Sequence, residues 1–297
     1  MCRLVGWVSA RPVTMRELLG DAAVDRLLTL STVHCHGWGA AWWADGRLVV
    51  RRSAVQAGED PGFLELVDSL AATSAIVHLR LGTPGFGRDV DDNHPFADGS
   101  WALAHNGAVA PSHRVDALLA PDSARAPRGT TDSERFFLAL RDELDALAGA
   151  DTPHEGVPHA VANVVERALG EGMHASSWNS LLLGPEALYV VNHHDRSWVP
   201  VDVQLWPDMY PEQAVCWPPY FDLRIRELDG ACVVVSSGVV DDVRTTEGDR
   251  APGWELLPND SVLRLDFGTA AGRLERIPVS SQAPDGLRSS SGNRAAL

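Results

Sequence analysis

Short apolar runs, each bounded by Gly, Asp or Asn, recur along this chain and constrain its fold more than any other feature. Leu4–Ser9, Gly37–Ala44, Leu48–Arg52, Ala75–Leu81 and Trp101–Ala104 come first. Ser180–Leu183, Leu188–Asn192, Cys232–Ser236 and Val262–Phe267 come later. Rich in Val, Leu and Trp, each reads as a β-strand. Between the two groups the period changes. Phe136, Leu140, Leu144 and Leu147 recur at helical spacing within Asp132–Ala148. The segment Thr131-Asp132-Ser133-Glu134 at its start fits a capping box. A second helix is expected over His159–Leu169, and an early one over Met15–Leu30 with Gly20 and Asp21 as a break. Strands, then two helices, then strands predict a layered α+β domain.

The chain has 297 residues, 45% of them hydrophobic, enough for a sizeable core. No repeat or linker divides it, so one domain is expected over residues 2–279. From about Ser280 the chain turns Ser/Arg/Gly-rich (Arg288, Ser289, Ser290, Ser291, Gly292) and loses its apolar pattern, so residues 280–297 are expected to be a disordered tail. A net charge of −15 argues against nucleic acid or an anionic membrane as a partner. No apolar run approaches the roughly 20 residues of a membrane span. The N-terminus lacks the basic-then-apolar pattern of a signal peptide, so a cytoplasmic location is expected. The four cysteines, Cys2, Cys35, Cys216 and Cys232, include no CxxC pair, which disfavours a disulfide framework or zinc knuckle. Cys232 reads as core.

Cys2 directly follows the initiator methionine. Methionine removal before this small residue would leave an N-terminal cysteine, with a thiol nucleophile and an α-amine base on one residue. That pairing is an established route to acyl transfer. Four further segments carry chemistry, each with a structural alternative. His34-Cys35-His36 puts two imidazoles on one side of a strand, which raises a metal site, but Cys35 would point the other way and no second cluster has metal spacing. Arg80, in His78-Leu79-Arg80-Leu81-Gly82-Thr83, ends an apolar strand and needs a partner. That partner is either an internal Asp or a substrate carboxylate held bidentately. Asn106-Gly107 is most often a hairpin turn, yet an Asn side-chain amide and a Gly N–H also suit an oxyanion hole. Asp132 at a helix start is either a cap or a site for a substrate ammonium.

The order of these pieces is more specific than any one of them. Cys2, Gly37-Trp38-Gly39, His78-x-Arg80-x-x-Thr83, His94-Pro95-Phe96, His105-Asn106-Gly107 and Thr131-Asp132-Ser133-Glu134 follow one another over residues 2–135. This series closely resembles the class II glutamine amidotransferases, which are N-terminal-nucleophile hydrolases. The resemblance implies a four-layer αββα sandwich and the following roles. Cys2 attacks the side-chain amide carbon of glutamine, with its α-amine shuttling the proton. Asn106 and Gly107 form the oxyanion hole. Arg80, assisted by Thr83, holds the α-carboxylate, and Asp132 binds the α-ammonium. His94 is a pocket histidine, and Trp38 and Gly39 wall the nucleophile side. Position 36 is His where many relatives carry Asp. The chain is too short for an appended synthetase, isomerase or phosphoribosyl-transferase domain. It resembles the small stand-alone members, among them the γ-glutamyl hydrolase of ergothioneine biosynthesis.

The leading expectation is a glutamine amidohydrolase that releases glutamate and ammonia through a Cys2 thioester, with ammonia passing to a separate partner enzyme. A second reading keeps the chemistry and replaces glutamine with a γ-glutamyl conjugate, whose leaving group would meet Trp42, Trp43, Trp206 or Trp217. A third is a non-catalytic glutamine-binding subunit. No cofactor or metal is expected in any of them.

Overall fold

The computed structural model describes residues 2–83, 86–121, 123–147, 156–194, 221–240, 252–269 and 271–278. In chain order, β1 (Arg3–Val13) leads to helices α1 (Met15–Leu19) and α2 (Asp21–Leu30), the hairpin β2 (Trp38–Ala44) and β3 (Arg47–Ser53), helix α3 (Pro61–Ser69) and β4 (Ala72–Leu79). Then come β5 (Phe96–Asp98), β6 (Trp101–Asn106), β7 (Val109–Ala110), α4 (Asp132–Leu147) and α5 (Val157–Gly170). The chain continues through β8 (His174–Ala175), β9 (Asn179–Leu183), β10 (Ala187–Asn192), β11 (Leu223–Leu228), β12 (Ala231–Ser236), β13 (Glu255–Leu256), β14 (Ser261–Asp266) and β15 (Gly272–Arg276).

The strands form one sheet in the order β13-β11-β12-β1-β4-β2-β3, a second in the order β15-β14-β10-β9-β6-β5, and a ribbon of β7 and β8. Side-chain alternation along the strands stacks them. In β1, Val5 and Trp7 pack with Met15, Val24, Leu27, Phe63 and Leu66 of helices α1–α3. Leu4 and Val8, on the opposite face, pack with Leu181, Leu183, Leu188 and Val190 of the second sheet. The second sheet alternates likewise. Leu103, Leu182 and Tyr189 face Phe136, Leu140 and Val161 of α4 and α5, while Ala102, Ala104 and Leu181 face the first sheet. Three apolar layers thus separate four layers of structure, and the fold is the αββα sandwich of the N-terminal-nucleophile hydrolases. Cys232 lies in the central layer, where burial pushes its thiol up to about 12.

All nine strands expected from the apolar runs are present. The early helix is interrupted at Gly20, whose φ of 81° separates α1 from α2. Elements without an apolar run escape sequence reading. β11 interleaves Leu223 and Ile225 with Arg224 and Arg226, and β15 is exposed along most of its length. Helix α3 is short and starts from Asp60, whose carboxylate accepts from the Gly62 N–H at 2.8 Å. Two local expectations need correction. Thr131 and Glu134 form half a capping box. Thr131 Oγ1 accepts from the Glu134 N–H at 3.3 Å, but the Glu134 carboxylate turns to the Arg128 and Gly129 N–H groups instead. His34-Cys35-His36 lies in a turn before β2 and not on a strand, because Gly37 at a φ of 114° breaks the extended run. The expected tail at 280–297, and Cys216, Trp206 and Trp217, lie outside the described residues. Among the described residues, no helix is long and apolar enough to cross a membrane.

The central strand β1 is seated by Gly6, which faces the second sheet. A Cβ there would stand 2.9 Å from Leu181 Cδ1 and 3.2 Å from Leu188 Cδ2. Gly6→Val overpacks this layer and is expected to cost about 1–3 kcal/mol. A urea titration should show a lower midpoint at unchanged slope, and an unchanged midpoint would contradict the close approach.

Candidate active site

A cleft at one end of the central layer is lined by Cys2, Arg80, Leu81, Gly82, Thr83, Phe86, His94, Gly107, Thr131, Asp132 and Ser133. Its parts come from both sheets. β1 pairs with β4 in the register Arg3–Leu79, and one further step along that register sets Cys2 against Arg80. The inward positions of β6 are Ala102 and Ala104, and the next in phase is Asn106 at its end. Asp132 is the first residue of α4. Cys2, Arg80, Asn106 and Asp132 are all buried.

The Cys2 nitrogen donates to Asn106 Oδ1 at 2.8 Å, across the gap between the sheets. A backbone N–H only donates, so this bond orients the amide: Oδ1 faces Cys2 and the NH2 faces away. Asn106 Nδ2 is then a buried donor with no protein partner among the described residues. The Cys2 thiol lies 3.7 Å from the Leu81 carbonyl oxygen. Asn106-Gly107 is not a hairpin turn, since Gly107 is absent from the positive-φ glycines. Glycine is required there by packing, as a Cβ would stand 1.9 Å from Ser177 O.

Arg80 donates from Nη2 to the Gly87 carbonyl at 2.7 Å, and its Nη1 has no partner among the described residues. It forms no ion pair within 4 Å among them, although Asp92 and Asp132 stand near enough to act on its charge. Burial pushes the guanidinium down from its ordinary value, while nearby Cys2, Asp92 and Asp132 act in the opposite direction. The Gly87 anchor is itself fixed. Its N–H donates to Thr130 Oγ1 at 2.8 Å, and Thr130 donates to Asp92. Asp132 Oδ2 accepts from the Val109 N–H at 2.6 Å, so the carboxylate is held in place while it borders the cleft. The cleft therefore presents a buried cation, a held carboxylate and a thiol, with the Asn106 amide bonded to Cys2 and its NH2 uncommitted. This set suits acyl transfer on a zwitterionic amino acid. The free space is about 20 Å³. That is room for about one water.

Three of the candidate residues, Asn106, Trp38 and Gly39, are not among the residues that line the cleft, although Asn106 is bonded to Cys2. Trp38 points into the helical layer, where Nε1 donates to Asp60 Oδ2 at 2.9 Å and the indole packs against Phe63 at 5.1 Å. Gly39 does not line the cleft. Instead it lets the chain cross closely, since a Cβ there would stand 2.1 Å from His94 O. Trp42 and Trp43 pack in core layers, with Trp43 donating to the Gly184 carbonyl. Among the described residues, no group of three or more His, Cys, Asp or Glu is arranged to hold a metal ion. Phe86, Thr131 and Ser133 line the cleft without having been singled out. Ser133 had a signal, being adjacent to Asp132 on the first turn of a helix.

Residues 1–199 match the family described as "Glutamine amidotransferases class-II". Among similar curated proteins, the gamma-glutamyl-hercynylcysteine sulfoxide hydrolase of Mycobacterium tuberculosis (strain CDC 1551 / Oshkosh) is 31% identical over 199 residues, covering 61% of this chain and 78% of the relative. The protein of the same description from Mycolicibacterium smegmatis is 28% identical over 193 residues, covering 61% and 81%. A solved glutamine aminotransferase class-II domain protein from Silicibacter pomeroyi shares the fold, with a TM-score of 0.57 at 18% identity over 92% of this chain and 98% of that one. Glutamine phosphoribosylpyrophosphate amidotransferase from B. subtilis does so with a TM-score of 0.56 at 15% identity, over 94% of this chain and 50% of that one.

Behind the cleft stands a layer of buried histidines. The His94 ring packs against His78 at 4.1 Å between ring centroids, tilted by 39°, and lies 6.5 Å from His105. His105 donates from Nε2 to the Ser177 carbonyl at 2.9 Å, so its Nδ1 accepts from Ser133 Oγ at 2.9 Å. Burial pushes all three below their ordinary value. Arg80 adds to this at His78 and His78 adds to it at His94, whereas Asp132 opposes it at His105. Their folded values lie below their unfolded ones. The stability they contribute is therefore fully present above about pH 6.5 and is lost as the pH falls below it, by up to about 1.4 kcal/mol per pH unit for each histidine. Urea unfolding at pH 7.5 and 5.5 should show a clear fall in midpoint with uptake of more than one proton. Equal midpoints would contradict neutral burial.

Proposed function

The chain belongs to the class II glutamine amidotransferases, and from that premise we propose that it hydrolyses a γ-glutamyl amide through a thioester on Cys2. The observation that carries the reading is the Cys2–Asn106 hydrogen bond. This contact holds the Cys2 nitrogen and turns the Asn106 NH2 away without a partner among the described residues, which supports its reading as a donor.

In this reading Met1 is removed and the Cys2 nitrogen becomes the α-amine. One of its N–H bonds stays on Asn106 Oδ1, and its lone pair takes the thiol proton as Sγ attacks the γ-carbonyl carbon. Negative charge develops on the carbonyl oxygen, where Asn106 Nδ2 and the Gly107 N–H receive it. Collapse breaks the C–N bond, and the ammonium of Cys2 returns its proton to the leaving amine. Water then attacks the thioester, the amine accepts the water's proton, and glutamate leaves with the thiol restored. Arg80 with Thr83 holds the α-carboxylate, Asp132 holds the α-ammonium, and His94 closes the wall behind them. Fixing both ends of the zwitterion sets the side-chain amide carbonyl carbon at attack distance, which is where much of the acceleration arises.

The leaving group separates two readings. The curated relatives are named as hydrolases of a γ-glutamyl conjugate, which supports a conjugate amine. Free glutamine, with ammonia passed to a partner enzyme, uses the same machinery and is the competing substrate. Neither reading requires a cofactor.

The test begins with mass spectrometry on the purified protein to establish that Met1 is gone. Glutamate release is then measured side by side from glutamine and from γ-glutamyl conjugates. Cys2→Ala is expected to abolish release, and Asn106→Ala to lower kcat by about 10²–10³, the scale of one oxyanion donor. Arg80→Lys, which loses the planar fork, is expected to act mainly on KM. Release that survives Cys2→Ala would sink the reading. A kcat/KM for the conjugate above that for glutamine would identify a conjugate hydrolase.

A further inference from the structure

The segment Arg80–Thr83 carries much of the cleft wall, yet it lies just past the end of β4. Its first residue is still held by the sheet edge: the Arg80 N–H donates to Gly37 O at 2.9 Å, and Arg80 O accepts from the His36 N–H at 3.1 Å. Beyond that pair the backbone ladder stops. The next inward amide, that of Gly82, donates to a side chain, reaching His36 Nδ1 at 2.9 Å. A ring nitrogen that accepts an N–H carries no proton. The surroundings agree: burial, with Arg88 and Arg80 nearby, lowers His36 to about 4. The fit is close, since a Cβ on Gly82 would stand 3.3 Å from His36 Nδ1 and 3.4 Å from Arg80 Cζ and Nη2. Imidazole and guanidinium thus both crowd the Cα of Gly82.

We propose that His36 is a positioning residue whose Nδ1 lone pair continues the β4 ladder by one hydrogen bond and thereby holds Arg80, the Leu81 carbonyl and Thr83 in their working places. This rests on the γ-glutamyl amidase reading. It assigns a role to a histidine that lies outside the lining of the cleft and touches no reacting atom. His36 acts on substrate affinity through the Arg80 guanidinium, and Leu81 O backs the Cys2 thiol at 3.7 Å.

The test compares His36→Ala with His36→Asn. Asn carries an acceptor oxygen on Cγ, the same attachment as Nδ1 in histidine, so it can receive the Gly82 N–H, whereas Ala cannot. In the full chain with Met1 removed, His36→Ala is expected to raise KM for the γ-glutamyl substrate about tenfold, the scale of one lost hydrogen bond, with kcat changed less than threefold. His36→Asn is expected to return KM to within about threefold of wild type. Hydrogen exchange followed by mass spectrometry over residues 79–83 gives a readout that needs no turnover. Exchange there should speed up in His36→Ala and stay near the wild-type rate in His36→Asn. Equal KM in all three proteins, or a parallel loss in both variants, would overturn the proposal, as would unchanged exchange in His36→Ala. A wild-type protein that cleaves no γ-glutamyl amide would sink the functional reading instead, and exchange would still decide whether His36 holds Gly82.

Discussion

One hydrogen bond, from the Cys2 nitrogen to Asn106 Oδ1, joins the two sheets at the end where the cleft opens. The apolar layer between the sheets is large but non-directional, so it fixes their separation better than their relative offset. A polar contact between the start of β1 and the end of β6 sets that offset at the place where geometry matters. It does so with partners 104 positions apart in sequence. The contact is buried, and breaking it would leave an unpaired amide oxygen and an unpaired N–H in a low-dielectric setting.

Strand alternation then populates the cleft. Leu4 and His78 are opposed across β1 and β4, as are His78 and Gly39 across β4 and β2. Stepping by two from these inward positions reaches Cys2 and Arg80 at the strand ends. The same faces that bury Leu4, Ile76 and Ala104 therefore deliver polar groups once the strands run out. The adjoining interior is polar but neutral. The His78 and His94 rings meet there at an angle of 39°, and both nitrogens of His94 have no hydrogen-bond partner among the described residues. Neutral imidazoles next to Arg80 avoid adding positive charge to a buried cation.

Much of this was legible in the sequence, for reasons that differ by residue. Runs such as Leu4–Ser9 and Cys232–Ser236 announce buried strands because both of their faces are covered. Gly20 marked the helix break because a φ of 81° is open to glycine. Cys2, Arg80, Thr83, His94, Gly107 and Asp132 do meet at one cleft, and their motif order carried that expectation. Trp38 and Gly39 mislead because motif proximity does not report the direction of a side chain. Adjacent residues of a strand point to opposite faces, so Trp38 serves the helical layer and Gly39 the chain crossing. His36 was readable as a histidine near the site but not as an acceptor. Its partner is a backbone amide 46 positions away, and no side-chain pattern records that.

The two outer helical layers are not equivalent. Helix α4 contributes Asp132 and Ser133 to the cleft, and its preceding loop contributes Thr131. Helices α1–α3 contribute nothing to it and meet the first sheet mainly through apolar contacts such as Phe63 and Leu66, with the Trp38–Asp60 hydrogen bond beside them. Over generations, then, one side of this molecule can drift in helix length, angle and composition as long as it keeps its sheet dry. The other side is tied to the cleft and can change only in step with the residues that line it.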